Sequence, residues 1–332
     1  MLKAKNNLLA LGLVAACFLS ACSPADEKKT ATDGNLKKVA ITAIVEHPAL
    51  DAVRKGVIDE LAAEGYVEGK NLQLDFQSAQ GNTATAGQIA KKFAGSNPDV
   101  VVTIGTPSAQ SMVASSSSIP IVFAAVTDPV AAKLVPSWEA SKTNVTGVSD
   151  ELPLQPQIDL MKKTVPNLKS VGYVYSPGEV NSTIVMKQLE TLLAKDHINL
   201  VAVPAQRTTD VPQAAKSLQG RADLIYTSLD NNVVSAYESM YKVAKDMKMP
   251  LVASDTGSVK RGAAVALGVN YHELGVATGK IVGRILKGEK AGDIPSQRMT
   301  ADQLELFVSK SHAAEQGVTL SPDLLKESKV VD

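Results

Sequence analysis

A set of polar residues directly follows short apolar runs of this chain, and these residues are our candidates for binding a small molecule. They are His47, Thr106, Ser108, Thr127, Asp128, Tyr175, Asp230, Asn231 and Asp255. Hydroxyl and N–H groups donate hydrogen bonds to a carboxylate, whereas an aspartate accepts them from an ammonium group. The set is therefore suited to a solute with one anionic and one cationic end. Taken singly, each of these residues is also of a type that commonly occupies turns and helix caps.

Residues 106–108 have the pattern of a helix N-terminus. Thr106 is of the type that caps a helix, and Pro107 suits the first helical position, where its missing N–H is least costly. We expect the N–H groups of Ser108 and Ala109 to point outward from this terminus and to attract a carboxylate.

The opposite charge would come from two aspartates further along the chain. Asp230 and Asp255 provide carboxylates suited to an ammonium group, and Tyr175 provides a flat apolar face with a polar tip. Asp128 has an alternative role, because it could cap a helix that starts after Pro129. We predict a ligand-binding site because these residues all lie at predicted strand ends, and not because of any one of them.

Alternating strand and helix patterns predict the elements that position these residues. Apolar runs indicate strands at residues 39–45, 72–76, 100–104 and 121–126, and helical patterns lie at residues 50–64 and 83–93. This alternation predicts an α/β fold whose parallel sheets are covered by helices. In such sheets ligands bind beyond the carboxyl ends of the strands, which is where the candidate residues stand.

The strand patterns recur in the second half of the chain. Leu36-Lys37-Lys38-Val39 returns as Leu168-Lys169-Ser170-Val171, and Asp99-Val100-Val101-Val102-Thr103 returns as Asp223-Leu224-Ile225-Tyr226-Thr227. This repetition in the same order predicts two Rossmann-like lobes of similar topology with a cleft between them. A single large sheet stays open as the alternative, because the parallel strands of any α/β protein resemble one another.

The same patterns predict how the chain is divided between the lobes. We expect residues 36–150 and 272–300 in the first lobe, and residues 151–271 and 301–332 in the second. A Pro-containing crossing at residues 151–156 would leave the first lobe, and an amphipathic helix at residues 272–287 would return to it.

The first residues have the pattern of a secretory signal. Lys3 and Lys5 precede an apolar run at residues 8–19, which is too short to span a bilayer comfortably. A basic start followed by a short apolar run is typical of a signal peptide that is removed from the mature protein. We therefore predict a signal peptide at residues 1–21.

The end of this apolar run indicates a lipid anchor. Leu19-Ser20-Ala21-Cys22 resembles a bacterial lipobox, in which the chain is cut before the cysteine and the thiol is acylated. Residues 22–35 would then form a polar tether, held in the bilayer by the acyl chains (palmitate, for example) on Cys22. An ordinary signal peptide with an incidental cysteine is the alternative.

Composition excludes several other functions. The chain has 332 residues, of which 45% are hydrophobic, so it is long and apolar enough for two folded lobes. Lysines and arginines number 34, as do aspartates and glutamates, so the positive excess typical of nucleic-acid binding is missing. Cys17 and Cys22 are the only cysteines, and the four histidines do not cluster, so we expect neither a metal nor a cofactor.

Several motifs of the first half are similar to those of one family of transport proteins. The motifs are His47-Pro48-Ala49-Leu50-Asp51, Thr106-Pro107-Ser108-Ala109-Gln110, Val126-Thr127-Asp128-Pro129-Val130 and Asn144-Val145-Thr146-Gly147-Val148. With these motifs in this order, the chain resembles the tryptophan/tyrosine-binding lipoproteins of bacterial ABC transporters. The second half matches them more loosely, through Tyr173-Val174-Tyr175 and Ser254-Asp255.

The resemblance implies a type I periplasmic binding protein, whose two lobes close on a solute. It implies a binding protein rather than an enzyme, with an aromatic amino acid (tryptophan, tyrosine or phenylalanine) as ligand and an ABC permease with its ATPase as partners. We accordingly expect an exported lipoprotein, anchored to a membrane and placed in the periplasm or at the cell surface. Two alternatives stay open: a sensor lipoprotein for another small solute, and a surface hydrolase, although the sequence shows no activated nucleophile.

Overall fold

Two β-sheets organise residues 36–332, which are the residues that our computed structural model describes. The strands are β1 (Lys37–Ala43), β2 (Leu72–Ser78), β3 (Val100–Ile104), β4 (Ile121–Ala124), β5 (Val145–Ser149), β6 (Ser170–Tyr175), β7 (Asn199–Pro204), β8 (Leu224–Thr227), β9 (Leu251–Ala253), β10 (Val265–Val269), β11 (Gln297–Arg298), β12 (Leu304–Val308) and β13 (Lys329–Val330). The predicted signal peptide, the tether and Cys22 lie outside the described residues.

Helices alternate with these strands along most of the chain. They are α1 (Pro48–Ala63), α2 (Thr83–Ser96), α3 (Thr106–Ser115), α4 (Leu154–Thr164), α5 (Val180–Lys195), α6 (Val211–Lys216), α7 (Asn231–Ser235), α8 (Tyr237–Met247), α9 (Tyr271–Leu286), α10 (Lys310–Glu315) and α11 (Pro322–Glu327). Short 3₁₀ helices fill several of the remaining connections. Within residues 36–332, no helix combines the length and the apolar character needed to cross a membrane.

The two sheets are separate, which excludes the single large sheet. The first sheet has the order β11-β5-β4-β3-β1-β2, and all of its pairings are parallel. The second has the order β13-β12-β10-β9-β8-β6-β7, and only the β10–β12 pairing is antiparallel. The predicted α/β fold with two parallel-dominated sheets is confirmed.

The predicted strands and helices of the first half are present, with small differences at their ends. Strand β3 covers the predicted residues and is buried throughout, as its unbroken apolar sequence requires in a parallel sheet covered on both faces. Strand β4 ends at Ala124, before the predicted residue 126. The reason is a turn at Ala125, whose φ of 52° is incompatible with an extended strand.

The second sheet separates two apolar cores, one on each face. Successive residues of a strand point to opposite faces. Tyr173 and Tyr226 accordingly belong to one core, while Val174 and Ile225, their neighbours in sequence, belong to the other. Both faces of this sheet are therefore covered, as expected for a sheet of mainly parallel strands.

Helix α9 packs closely against α1 on the first sheet, through glycines that the sequence places on one helix face. A Cβ atom on Gly275 would overlap the carbonyl oxygen of Val53 and lie 2.9 Å from the Cα atom of Gly56. A Cβ atom on Gly279 would lie 2.7 Å from the Cβ atom of Glu60. The helix backbones approach so closely that only glycine fits at Gly275.

We predict that Gly275→Ala destabilises the protein, because the added methyl group meets backbone rather than a movable side chain. The free energy of unfolding, measured by urea denaturation, should fall by about 1–3 kcal/mol. Gly87→Ala in α2 is the matched control, because its Cβ atom would meet open space. That variant should gain about 0.5–1 kcal/mol from the better helix propensity of alanine. Equal effects of the two substitutions would contradict the close α1–α9 contact.

Candidate functional site

A cavity with polar walls lies where the carboxyl ends of strands from both sheets meet. The space between its walls, part of which is open to solvent, is about 340 Å³, and we call it the polar cavity. Its lining residues are His47, Ala49, Leu50, Thr106, Ala125, Thr127, Asp150, Asn181, Leu229, Asn231, Val234, Asp255 and Tyr271. No lysine or arginine is among them, whereas two aspartates are, so the walls favour a solute that carries a positive group.

A second cavity adjoins the first and has mostly apolar walls. The space between its walls, part of which is open to solvent, is about 430 Å³, and we call it the apolar cavity. Its lining residues are Thr127, Asp128, Glu151, Leu152, Leu154, Asn181, Ile184, Val185, Gln188, Tyr226, Ser228, Leu229 and Ser254. The two cavities share Thr127, Asn181 and Leu229, so one ligand could extend from the polar cavity into the apolar one.

The topology explains why these residues converge. Parallel strands end at the same edge of a sheet, so the segments that follow them are neighbours. Thr106 follows β3 and Thr127 follows β4 in the first sheet, whereas Asp255 follows β9 in the second. Five of the residues predicted for ligand binding line the polar cavity, namely His47, Thr106, Thr127, Asn231 and Asp255. Asp128 lines only the apolar cavity.

Asp150 is the buried carboxyl group at the end of β5. It is 3% exposed, and its carboxylate accepts hydrogen bonds from the hydroxyls of Thr127, at 3.4 Å, and Tyr271, at 3.3 Å. Burial raises the pKa of Asp150 to about 7, and these two long hydrogen bonds offset only part of that effect. Asp150 is therefore poised between its neutral and charged forms near neutral pH.

Asp255 faces the same cavity from the second sheet. Its carboxylate accepts hydrogen bonds from the Gly257 N–H, at 3.0 Å, and from the Ser258 hydroxyl, at 2.8 Å. Burial raises its pKa, although these bonds and the nearby Arg261 act in the opposite direction. A carboxylate that is buried and only partly compensated gains from a cationic ligand.

His47 provides a neutral imidazole on the side of the first sheet. Burial, with a smaller contribution from the positive charge of Arg261, lowers the pKa of His47 to about 4. Its Nδ1 atom is buried and has no hydrogen-bond partner within the described residues. A buried polar atom without a partner is costly, and a ligand in the cavity would remove that cost.

The N-terminus of α3 differs from our prediction in one respect. Gly105, and not Thr106, is the N-cap, and the Ala109 N–H donates to the Gly105 carbonyl at 3.2 Å instead of pointing outward. Gly105 has a φ of 89°, and a Cβ atom there would lie 2.7 Å from Ile44 Cγ2, so glycine is required. Thr106 thus begins the helix and still lines the polar cavity.

Three predicted ligand-binding residues lie outside the walls of both cavities. The carboxylate of Asp230 accepts hydrogen bonds from the N–H and hydroxyl of Ser176, at 2.6 and 2.8 Å, and from the Val233 N–H, at 3.0 Å. It therefore joins β6 to the start of α7. Tyr175 stacks on Tyr173 at a centroid separation of 6.3 Å. Ser108 is buried behind Thr106, and its hydroxyl has no partner within the described residues.

Asp128 takes the alternative role of a local cap, although in a turn rather than a helix. Its Oδ1 atom accepts hydrogen bonds from the N–H groups of Val130, at 3.0 Å, and Ala131, at 2.9 Å. No helix follows Pro129, and the chain turns there instead. Asp128 can contact a ligand in the apolar cavity while it holds this turn.

Sequence reasoning missed three polar residues of the polar cavity: Asp150, Asn181 and Tyr271. Asp150 directly follows β5, so its strand-end position is a usable signal. Tyr271 begins α9 two residues after β10, a strand that the sequence analysis did not predict, and Asn181 lies in the first turn of α5, further from the end of β6.

A fold of two parallel-dominated sheets, with a cavity lined from the strand ends of both, is that of a type I periplasmic binding protein. Comparison with known proteins gives the same class. The family model described as ABC transporter substrate binding protein matches residues 38–331. The chain belongs to this family, whose members bind solutes outside the cytoplasm rather than catalyse reactions.

Individual relatives are similar over nearly the whole chain. A tyrosine-binding protein of Clostridioides difficile is 36% identical over 318 residues, which cover 93% of this chain and 92% of the relative. An ABC domain from Streptococcus pneumonia, solved with L-Trp, is 31% identical with a TM-score of 0.85, covering 90% of this chain and 100% of that one. The ligand-free, open structure of the binding protein CD0873 from Clostridium difficile is 35% identical with a TM-score of 0.67, covering 90% and 99%.

The two solved structures differ in how well this chain superposes on them. Identity and coverage are nearly equal for both structures, yet the structure with bound L-Trp superposes better than the open one. The overall arrangement of this chain therefore superposes better on that of the ligand-bound relative. This arrangement agrees with a cavity that is lined from both sheets.

We predict that Asp150 makes the stability of the protein depend on pH. In the unfolded chain this carboxyl ionises near its usual pKa of 3.8, whereas burial raises the pKa to about 7 in the folded state. The folded state thus keeps a proton that the unfolded state releases, so this group destabilises the fold progressively as pH rises from about 4 to 7. Asp150→Asn should remove this effect and become more stable relative to the natural protein between pH 5 and pH 8.

Urea denaturation at pH 5 and at pH 8 measures this change. Asp293→Asn is the control, because its exposed carboxylate bonds to Lys142, which lowers its pKa. The stability difference for that variant should stay constant over this range. A constant difference for Asp150→Asn as well would show that Asp150 is already ionised at pH 5.

Proposed function

We propose that this protein binds an aromatic amino acid between its lobes and delivers it to an ABC permease, which works with its ATPase. The observation that carries the proposal is the pair of adjoining cavities, one polar and one apolar, that share Thr127, Asn181 and Leu229. An amino acid has a zwitterionic end and a side chain, and the two cavities match these two parts. The tyrosine-binding relative and the relative with bound L-Trp support this ligand class.

The charged end of the amino acid occupies the polar cavity in this proposal. Thr106, in the first turn of α3, and the neutral His47 are donors for the carboxylate, which the positive end of the helix dipole also attracts. Asp255 and Asp150 provide the negative charge for the ammonium group. The ammonium group would in turn lower the pKa of Asp150, because an opposite charge favours the ionised form.

The aromatic side chain occupies the apolar cavity. Tyr226 is 1% exposed in this structure and lies in the wall beside Leu152 and Ile184. An aromatic side chain buries about 150–250 Å², which contributes about 4–6 kcal/mol before the costs of binding are subtracted. Ser228, Ser254 and Gln188 add polar groups to the wall, so a phenol hydroxyl or an indole N–H could find a partner there.

Lobe closure follows from the way the chain crosses between the sheets. We propose lobes of residues 36–150 with 272–300 and of residues 151–271 with 301–332. Strand β11 lies in the first sheet and β12 in the second, which supports these boundaries. Short crossings of this kind act as hinges, so a ligand that contacts both lobes would stabilise the closed arrangement.

A panel of ligands tests the proposed function. Tryptophan, tyrosine and phenylalanine should raise the melting temperature of the purified protein more than other amino acids, sugars or nucleosides do. At a hundredfold excess over the dissociation constant, the ligand adds about 2.7 kcal/mol to the free energy of unfolding. Calorimetric titration should give a stoichiometry of one. If a sugar or nucleoside shifts the melting temperature while no amino acid does, the proposed ligand class is wrong.

We also propose that Cys22 anchors the protein to a membrane, on the basis of the Leu19-Ser20-Ala21-Cys22 motif and the tether that follows it. Cys22→Ala should abolish incorporation of labelled palmitate, because the only other cysteine, Cys17, lies within the predicted signal peptide. The variant should accumulate as precursor or be recovered without the membrane fraction. Cys17→Ala is the control and should label normally. Palmitate labelling that persists in Cys22→Ala would overturn the anchor.

A further inference from the structure

Glu179 is a buried carboxyl group that lines neither cavity yet contacts two residues that do. It precedes α5 in the second sheet's lobe and is 7% exposed. Its Oε2 atom accepts hydrogen bonds from Asn181 Nδ2, at 2.9 Å, and from Asn231 Nδ2, at 2.7 Å. The backbone N–H of Asn231 donates to the same oxygen at 3.2 Å. One carboxylate oxygen thus holds both asparagines of the polar cavity.

These contacts determine which end of each amide faces the cavity. An asparagine amide can rotate to exchange its oxygen and nitrogen, but a carboxylate only accepts hydrogen bonds, so the nitrogen must face Glu179. For Asn181 the second amide hydrogen is also used, because Nδ2 donates to the carbonyl oxygen of Leu229 at 2.9 Å. The Oδ1 atoms are therefore turned away from Glu179.

The Oδ1 atom of Asn181 is left without a partner. It is buried, the residue is only 4% exposed, and no hydrogen-bond donor within residues 36–332 reaches it. Asn231 Oδ1 points toward the first lobe, where a Cβ atom on Gly105 would lie 3.7 Å from it. A buried acceptor without a donor is costly, and a ligand that brings a donor removes the cost.

We propose that Glu179 is a positioning residue that fixes the amides of Asn181 and Asn231 so that their oxygens accept hydrogen bonds from the ligand's ammonium group. The inference rests on the proposed function, since it assigns the ammonium of the amino acid to these oxygens. Asp150 and Asp255 line the same cavity and supply the charge, whereas the fixed amide oxygens supply direction. Glu179 itself acts through the asparagines and does not contact the ligand.

Two substitutions of Glu179 separate orientation from charge. Glu179→Met removes the acceptor, so the Asn231 amide is free to rotate and to turn its N–H groups toward the ammonium, whereas the Asn181 amide keeps only its bond to the Leu229 carbonyl. Glu179→Gln removes the negative charge but keeps an acceptor oxygen that can hold both amides. We expect Glu179→Met to bind amino acids 10- to 100-fold more weakly, as loss of a hydrogen bond to a charged group implies. Glu179→Gln should stay within about threefold of the natural protein.

Ligand pairs give the readout that a merely structural role would not change. L-Tyrosine is compared with 3-(4-hydroxyphenyl)propionate and L-tryptophan with indole-3-propionate, because the second member of each pair lacks only the ammonium group. Calorimetry, with competition titration for the weaker ligands, measures all four on each variant. In Glu179→Met the affinity for the amino acids should fall while that for the deaminated acids changes less than about threefold.

Each result of these titrations has a different meaning for the proposal. If Glu179→Met weakens both members of a pair equally, or neither, Glu179 does not orient acceptors for the ammonium. If Glu179→Gln is as weak as Glu179→Met, the charge of Glu179 acts directly and the positioning role is wrong. If the natural protein binds no amino acid better than its deaminated acid, the proposed function fails first, and this inference fails with it.

Asn181→Ala provides a second test in case Glu179→Met does not fold. The variant lacks the acceptor oxygen but leaves Glu179 bonded to both N–H groups of Asn231, so the buried carboxylate keeps partners. It should lose preference for amino acids over deaminated acids by 10-fold or more. An unchanged preference would overturn the proposal.

Discussion

Every pairing in the first sheet is parallel, and so are the pairings among β6 to β10 in the second, so these strands end at a common edge of each sheet, whereas β12 and β13 run in the opposite direction. A parallel strand can be joined to the next only by a crossover, which places a loop at that edge and, after β1, β2 and β3 of the first sheet, a helix N-terminus. The cavity residues come from these connections: Thr106 after β3, Asp150 after β5 and Asp255 after β9. The position of the site thus follows from the topology, before any particular side chain is considered.

Carboxyl groups buried at these edges serve two purposes, and the number of donors around each one distinguishes them. Asp230 accepts three close hydrogen bonds from the protein and so acts as a structural cap. Asp150 accepts only two long ones, and burial raises its pKa to about 7. A carboxylate with few donors remains available for a ligand, whereas a fully bonded one does not.

Features that depend on local sequence patterns could be predicted, whereas those that depend on tertiary neighbours could not. The strands and the α/β class depend on local apolar patterns, and the unbroken run of β3 is visible in the sequence. His47, Thr106, Thr127, Asn231 and Asp255 could be found because topology alone places strand ends together. Whether an aspartate at a strand end faces a ligand or the protein depends on tertiary neighbours. For Asp230 these neighbours include the Ser176 N–H, which lies far away in the sequence.

The role of Glu179 could not be predicted from the sequence either, because it also depends on tertiary contacts. Its role depends on two asparagines in different connections, Asn181 in α5 and Asn231 in α7, that meet one oxygen atom. Such an arrangement fixes acceptors before the ligand arrives, so little ordering of these side chains remains to be done on binding. Within residues 36–332 the same arrangement leaves Asn181 Oδ1 and His47 Nδ1 without hydrogen-bond partners. If the lobes opened, these atoms would form hydrogen bonds with water. In the closed form a zwitterionic ligand would provide the hydrogen bonds instead. In the function that we propose, unpaired polar atoms on both sides of the cavity would couple ligand binding to closure.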